Sequence, residues 1–247
     1  MRSKIVPVKN IARLSTAAKA LTTRAPGAPG LGLVDGLAGV GKSKAIAWLT
    51  NRIDFPSIFL RAMAVSTPAS MLSQICDELR VRPGGSNAAM VKNIAEKLVQ
   101  LEEQNKAPHS IFLDEADYIV DNKRLINTFR DIHDMTGVPV VLIGELGIEA
   151  RLQHMHRMTS RIAEHVTFQP LDMQDSVLVA RELCEVTLAE DLVAHVHAST
   201  GGNIRMTVVA LGRIEQLAKA QGLQKVTLAD WGNKRALFTG EAHPKAA

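Results

Sequence analysis

Short, continuously apolar runs alternate along this chain with stretches in which apolar positions recur every three or four residues. Runs bounded by Gly, Pro or polar residues read as strands buried on both faces, and the longer period reads as amphipathic helix. Strands are expected at Leu31–Asp35, Pro56–Arg61, His109–Asp114, Val138–Ile143 and His165–Phe168. Helices are expected at Val8–Leu21, Ser43–Asn51, Ser70–Leu79, Ala88–Gln104, Asn122–Met135 and Ile148–Ile162. Strands that alternate with helices in this way predict an α/β fold, a parallel sheet flanked by helices on both faces. After Pro170 the pattern turns helical, at Met173–Val186, Ala189–Ser199 and Ile204–Ala220. A short extended piece at Lys225–Thr227 and a last helix from Leu228 to about Phe238 follow. The expected organisation is a helix and linker over 1–30, an α/β domain over 31–170, a small helical lid over 171–239 and a disordered tail over 240–247.

Composition adds limits. The 247 residues are 46% hydrophobic and 22% charged, ordinary values for a globular protein. No apolar run approaches the roughly 20 residues of a membrane span. The basic N-terminus lacks the continuous apolar core and small-residue cleavage site of a signal peptide. Cys76 and Cys184 lie far apart in helix-like segments. They read as buried free thiols, and a reducing, cytoplasmic setting is expected.

The net charge is +4, and its distribution says more than its size. Arg2, Lys4, Lys9, Arg13, Lys19 and Arg24 fall in the first 30 residues without one Asp or Glu. Such a segment is either an arm for a polyanion such as DNA or a helix with a solvated basic face.

One run carries the chemistry: Gly36-Leu37-Ala38-Gly39-Val40-Gly41-Lys42-Ser43. It matches the phosphate-binding loop G-x-x-x-x-G-K-[ST] and lies between an expected strand and an expected helix, as that motif requires. Glycines let the backbone wrap so that its N–H groups point at phosphate oxygens. The following helix, with Lys44 in its first turn, presents its partial positive charge to the same anion. Lys42 is the point charge for the β and γ phosphates, and Ser43 offers a hydroxyl to Mg2+. ATP and Mg2+ are therefore the expected cofactors.

A second motif is Ile111-Phe112-Leu113-Asp114-Glu115-Ala116-Asp117, an apolar strand ending in acids. Asp114 is the expected magnesium ligand, directly or through water. Glu115 is the expected group that orients and polarises the attacking water. Asp117 reads as a helix-start or surface residue.

With these two motifs the sequence resembles the AAA+ ATPases, a P-loop NTPase family. Within them it is similar to the DNA-transposition helpers, the group of the phage Mu B protein, TnsC and TniB. The resemblance spans roughly residues 8 to 215. It includes the strand Val138–Gly144, Ser160-Arg161 before His165–Leu171, and Gly201-Gly202-Asn203-Ile204-Arg205. It implies a polar sensor residue after the fourth strand. Glu145 stands there, a departure, because a carboxylate repels γ-phosphate unless protonated or paired. It implies Arg161 as a finger reaching the neighbouring subunit's nucleotide, with Arg157 and Arg151 as rivals. It implies Arg205 as the sensor arginine of the lid, contacting phosphate.

The resemblance further implies double-stranded DNA as a non-specifically bound partner, a transposase as a protein partner, and ATP-dependent self-assembly into a ring or helical filament. Candidate DNA contacts are Lys123, Arg124 and the segment Arg61–Thr67. About 30 residues precede the first expected strand, too few for the extra N-terminal DNA-binding domain that related phage proteins carry. Two rival functions stay open: an ATPase of the ExeA type that assembles a secretion or envelope machine, and a replication initiator or helicase-loader ATPase. The pairs His154/His156 and His195/His197 are two apart on expected helices, a spacing that points the rings away from each other. Trp48 and Trp231 read as packing residues.

Overall fold

A computed structural model describes residues 1–52, 54–105, 110–232 and 236–238, with Asn105 described by its backbone alone. The expected tail over 240–247, His109, and residues 233–235 of the expected last helix lie outside these residues. The helix that starts at Leu228 ends at Trp231, before Gly232, and 236–238 are not helical. Five segments pair into one parallel sheet: β1 (Leu31–Gly36), β2 (Ser57–Arg61), β3 (Ser110–Asp114), β4 (Val140–Ile143) and β5 (Ile162–Phe168). Their order in space is β2-β3-β4-β1-β5, so the first strand in sequence lies between the last two. The expected P-loop α/β fold is the fold observed.

Helix α1 (Lys9–Thr22) precedes these strands, and α2 (Lys42–Thr50), α3 (Pro68–Leu79), α4 (Asn87–Asn105), α5 (Lys123–Thr136) and the one-turn helices α6 (Ile148–Leu152) and α7 (His156–Thr159) link them. Strand side chains alternate between two apolar layers. One layer joins Leu31, Leu33, Ile58, Leu60, Ile111, Leu113, Val140 and Leu142 to buried residues of α3, α4 and α5. On the other face Gly32, Val34, Phe112, Val141 and Val166 line a small cleft with Leu14, Ala18 and Leu21 of α1. Gly32 permits that approach: a Cβ there would lie 2.8 Å from Leu21 Cδ1.

Local chemistry sets the helix ends. Thr67 and Ser70 form a capping box at the start of α3, with Pro68 in its first turn. Asn122 caps α5 through Leu125 N, and Gly137 ends it at φ 71°. Ile148–Ile162 is not the single helix expected: α6 and α7 are separate turns, and Ile162 already belongs to β5. Pairing with β1 is the reason, since Leu31 N donates to the Arg161 carbonyl and pulls the chain into the sheet.

By its internal contacts the chain divides into two units. The sheet unit holds 13–36 and 42–168; the other holds 1–12, 37–41 and the residues from 169 on. The second unit contains α8 (Met173–Leu183), α9 (Glu190–Thr200), α10 (Ile204–Ala220) and α11 (Leu228–Trp231). Its core gathers Leu192, Val196, Ala210, Ile214, Ala218, Val226 and Trp231. A two-stranded parallel ladder, β6 (Thr187–Leu188) with β7 (Lys225–Val226), had no sequence signal at Thr187, because two residues carry no periodicity. Both cysteines are free and buried, and burial pushes the Cys184 thiol up to about 12.

The basic N-terminal residues are not an extended arm. Arg2 donates to the carbonyls of Arg181 and Glu182, while Lys4 pairs with Glu182 and Lys9 with Asp172. In the sheet unit Arg24 donates to the carbonyls of Leu21, Ala28 and Gly137. These four cations are committed to the protein's own acceptors, and Arg13 and Lys19 are exposed.

Candidate nucleotide-binding site

Every residue of β1 is buried, and the strand delivers the chain at Gly36 into the loop and then α2. Gly39 and Gly41 take φ of 82° and 94°, a left-handed backbone that a side chain disfavours. Lys42 opens α2 and its Nζ donates to the Gly36 carbonyl at 2.6 Å. Burial lowers the pKa of Lys42, while Glu145, then Asp114, Asp117 and Glu115, oppose that shift by favouring the ammonium. A partly desolvated cation gains strongly from an incoming polyphosphate. Ser43 and Lys44 are exposed beside it on the first turn of α2.

At the end of β3 Asp114 is 3% exposed, and its Oδ1 accepts the Glu115 N–H at 3.0 Å. Glu115 turns the chain at φ 56°, a left-handed position that costs a non-glycine residue about 1–2 kcal/mol. Its carboxylate is taken by Arg61, which sits at the end of β2 and is the register partner of Asp114.

Asp117, expected as a helix-start or surface residue, lies in the short 3-10 turn Ala116–Tyr118 and makes further contacts from there. Its Oδ2 accepts the Glu145 N–H at 2.7 Å and its Oδ1 meets Arg151 Nη1 at 3.3 Å. Arg151 also donates to the Asp117 carbonyl at 2.8 Å and to Asp121 at 2.6 Å. The loop after β4 is thereby pinned, and Leu146 N reaches the Gly36 carbonyl at 3.1 Å, the acceptor that also holds Lys42. Glu145 is exposed on this pinned loop.

The Arg161 carbonyl accepts Leu31 N, at the end of β1 opposite Gly36, about 17 Å away along an extended strand. Its guanidinium is held by Asp134 at 2.8 Å and by the Arg157 carbonyl at 2.8 Å. Arg157 is exposed. Arg205 is exposed near the start of α10, and its backbone N–H donates to the Gly39 carbonyl at 3.1 Å. Lys123 and Arg124 are exposed on the first turn of α5. The segment 61–67 shows two large exposed apolar side chains, Met63 and Val65, with Arg61 its single cation.

The donor set suits Mg2+. A hydroxyl from Ser43 and a carboxylate from Asp114 are hard oxygen ligands, and this ion takes one or two such groups together with substrate phosphates. When bound, it would neutralise charge building on the β and γ phosphates. Among the described residues no cluster of three or more His, Cys, Asp or Glu could hold a metal.

Three interactions escaped the sequence: Arg61 with Glu115, Asp117 with Glu145, and the Asn203 side chain with the Ala38 carbonyl at 3.0 Å. No local period marks such contacts, since the partners are far apart in the chain.

The profile of the family described as AAA domain matches residues 25–152, just over half of the chain. No curated protein matches. Several solved structures share the fold. The ORC1 protein of Aeropyrum pernix in complex with DNA is 19% identical, with a TM-score of 0.62 over 91% of this chain and 63% of that one. The Cdc6p of Pyrobaculum aerophilum is 16% identical, with a TM-score of 0.63 over 91% and 66%. The Walker-type ATPase paby2304 of Pyrococcus abyssi is 19% identical, with a TM-score of 0.58 over 90% and 74%. The chain thus spans under two thirds of the length of the first two. At these identities the likeness concerns the fold.

Proposed function

This chain belongs to the AAA domain family, and on that premise we propose that it is an ATP-dependent DNA-binding ATPase that assembles on double-stranded DNA and recruits or stimulates a transposase. ATP sits on the loop Gly36–Ser43 with Mg2+ at Ser43 and Asp114, and Glu115 orients the attacking water. Arg161 of one copy serves the nucleotide of the next, so assembly and hydrolysis are linked. Turnover is slow until assembly or DNA raises it.

The observation that carries this reading is the pair Arg61–Glu115. It ties the expected catalytic carboxylate to a cation on the segment expected to meet DNA. Lys123 and Arg124, exposed on α5, add phosphate-contacting charge. The branch within the family rests on the resemblance to the transposition helpers. A replication-initiator role is the second reading, favoured by the fold shared with ORC1 and Cdc6p. Among the described residues no helix is long and apolar enough to cross a membrane, and a cytoplasmic location accompanies either reading.

The test is fluorescence anisotropy of labelled duplex DNA of arbitrary sequence, titrated with protein in ATP, in ADP and without nucleotide. Tight binding in ATP alone, weakening steeply with salt, is expected. Preference for particular duplexes favours the initiator reading. Absence of DNA binding by protein that binds ATP sinks both and turns attention to a machine-assembly role.

A further inference from the structure

By its contacts the loop segment Leu37–Gly41 groups with the C-terminal helices. Against its outer side lies the first turn of α10. Asn203 caps that helix, its Oδ1 accepting Met206 N at 3.2 Å. The same carboxamide turns its Nδ2 to the Ala38 carbonyl at 3.0 Å. Two residues on, Arg205 N, one of the donors that a helix start leaves unpaired, reaches the Gly39 carbonyl at 3.1 Å.

Peptide planarity turns these two bonds into an orientation. In a trans peptide the C=O and N–H point to opposite sides of the chain. Tethering the Ala38 and Gly39 carbonyls to α10 therefore aims the N–H groups of Gly39 and Val40 the other way. N–H groups aimed to one side of a glycine-rich turn make an anion-binding concavity. The glycines fit the same contact. A Cβ on Gly39 would lie 2.6 Å from Asn203 Oδ1, and one on Gly41 would lie 3.2 Å from Ile204 Cγ2.

We propose that Asn203 is a positioning residue for nucleotide binding: its carboxamide holds the Ala38–Gly39 peptide with its N–H turned toward the phosphates, and a bound nucleotide stabilises the cap in return. This rests on the nucleotide site proposed above. By linkage the factor by which the tether tightens ATP binding equals the factor by which ATP favours the tether, so losing the tether weakens ATP binding. Asn203 has two tasks, capping and tethering, and substitutions separate them. Asn203→Asp keeps an acceptor for Met206 N and is as good a cap, but sets an oxygen against the Ala38 carbonyl. Asn203→Ala loses both.

The experiment measures equilibrium binding of a fluorescent ATP analogue with Mg2+, steady-state hydrolysis, and thermal unfolding without nucleotide. Wild type, Asn203→Asp, Asn203→Ala and Lys42→Ala are compared. For Asn203→Asp the dissociation constant and KM are expected to rise about tenfold. Its kcat at saturating ATP and its unliganded Tm stay near wild type. Asn203→Ala shows the same loss of affinity and a lower Tm. Wild-type affinity in Asn203→Asp overturns the proposal, as does a KM that is unchanged while kcat falls. Wild-type protein that binds no ATP, or Lys42→Ala that binds it fully, overturns the nucleotide site itself and the proposal with it.

Discussion

Arg61 Nη2 donates to Glu115 Oε1 at 3.1 Å, across the ends of two neighbouring strands. Arg61 is 66% and Glu115 34% exposed at the side chain, so the pair is worth under about 1 kcal/mol and a competing phosphate can displace it. While it lasts, Arg61 occupies one carboxylate oxygen of the expected base. Arg61→Ala should therefore raise basal ATP turnover about fivefold and blunt any stimulation by DNA, read by phosphate release with and without duplex. Unchanged basal turnover with full stimulation would show that the pair restrains nothing. In the same assay Glu115→Gln should bind ATP normally yet hydrolyse it at least about a hundredfold more slowly.

Glu145 is the strongest of the carboxylate influences on Lys42, and its loop is fixed by Asp117. A carboxylate there opposes γ-phosphate. Glu145→Asn should lower KM for ATP and raise kcat by about threefold to tenfold. A fall in kcat would mean that Glu145 takes part in the chemistry.

Arg161 lies at the edge of the sheet remote from its own Lys42 and is clasped by Asp134. The finger role proposed for it therefore requires a nucleotide held by another copy. Arg161→Ala should therefore bind ATP normally but lose about a thousandfold in assembled turnover. Mixed with Lys42→Ala, it should regain part of that activity, because each copy supplies what the other lacks. Failure of the mixture, with both variants assembling, would remove Arg161 from the reaction.

Glu215 is buried in the second unit. Burial alone would raise its pKa, but the Met1 amine, Lys219 and the Glu185 N–H outweigh that and hold it near 2, against a usual 4.5. Because the folded value is the lower one, the stabilisation is complete above about pH 4.5 and is lost as pH falls through about 2. Glu215→Gln should cost about 2 kcal/mol at pH 7 in urea unfolding. The difference from wild type should shrink steadily as the pH drops from about 4.5 toward 2. A difference independent of pH would assign the loss to packing.

The sequence by itself determined the fold class, five short strands alternating with helices, and the phosphate loop ahead of an acidic strand end; that the edge strands β2 and β5 are only partly buried followed from their places in the sheet. Those are local matters: the period of apolar positions, the left-handed turns that Gly39 and Gly41 permit, and the reach from one strand into the next helix. Only the tertiary structure decided the strand order, in which β1 separates β4 from β5, and the break that turned the expected helix Ile148–Ile162 into two turns and a strand. It alone also decided that Arg61 meets Glu115 across 54 residues, that Asp117 pins Glu145 across 28 and that Asn203 tethers Ala38 across 165. Such contacts follow from which strands become neighbours and which loops they leave side by side. That outcome belongs to the packing of the whole chain, and no window of residues records it.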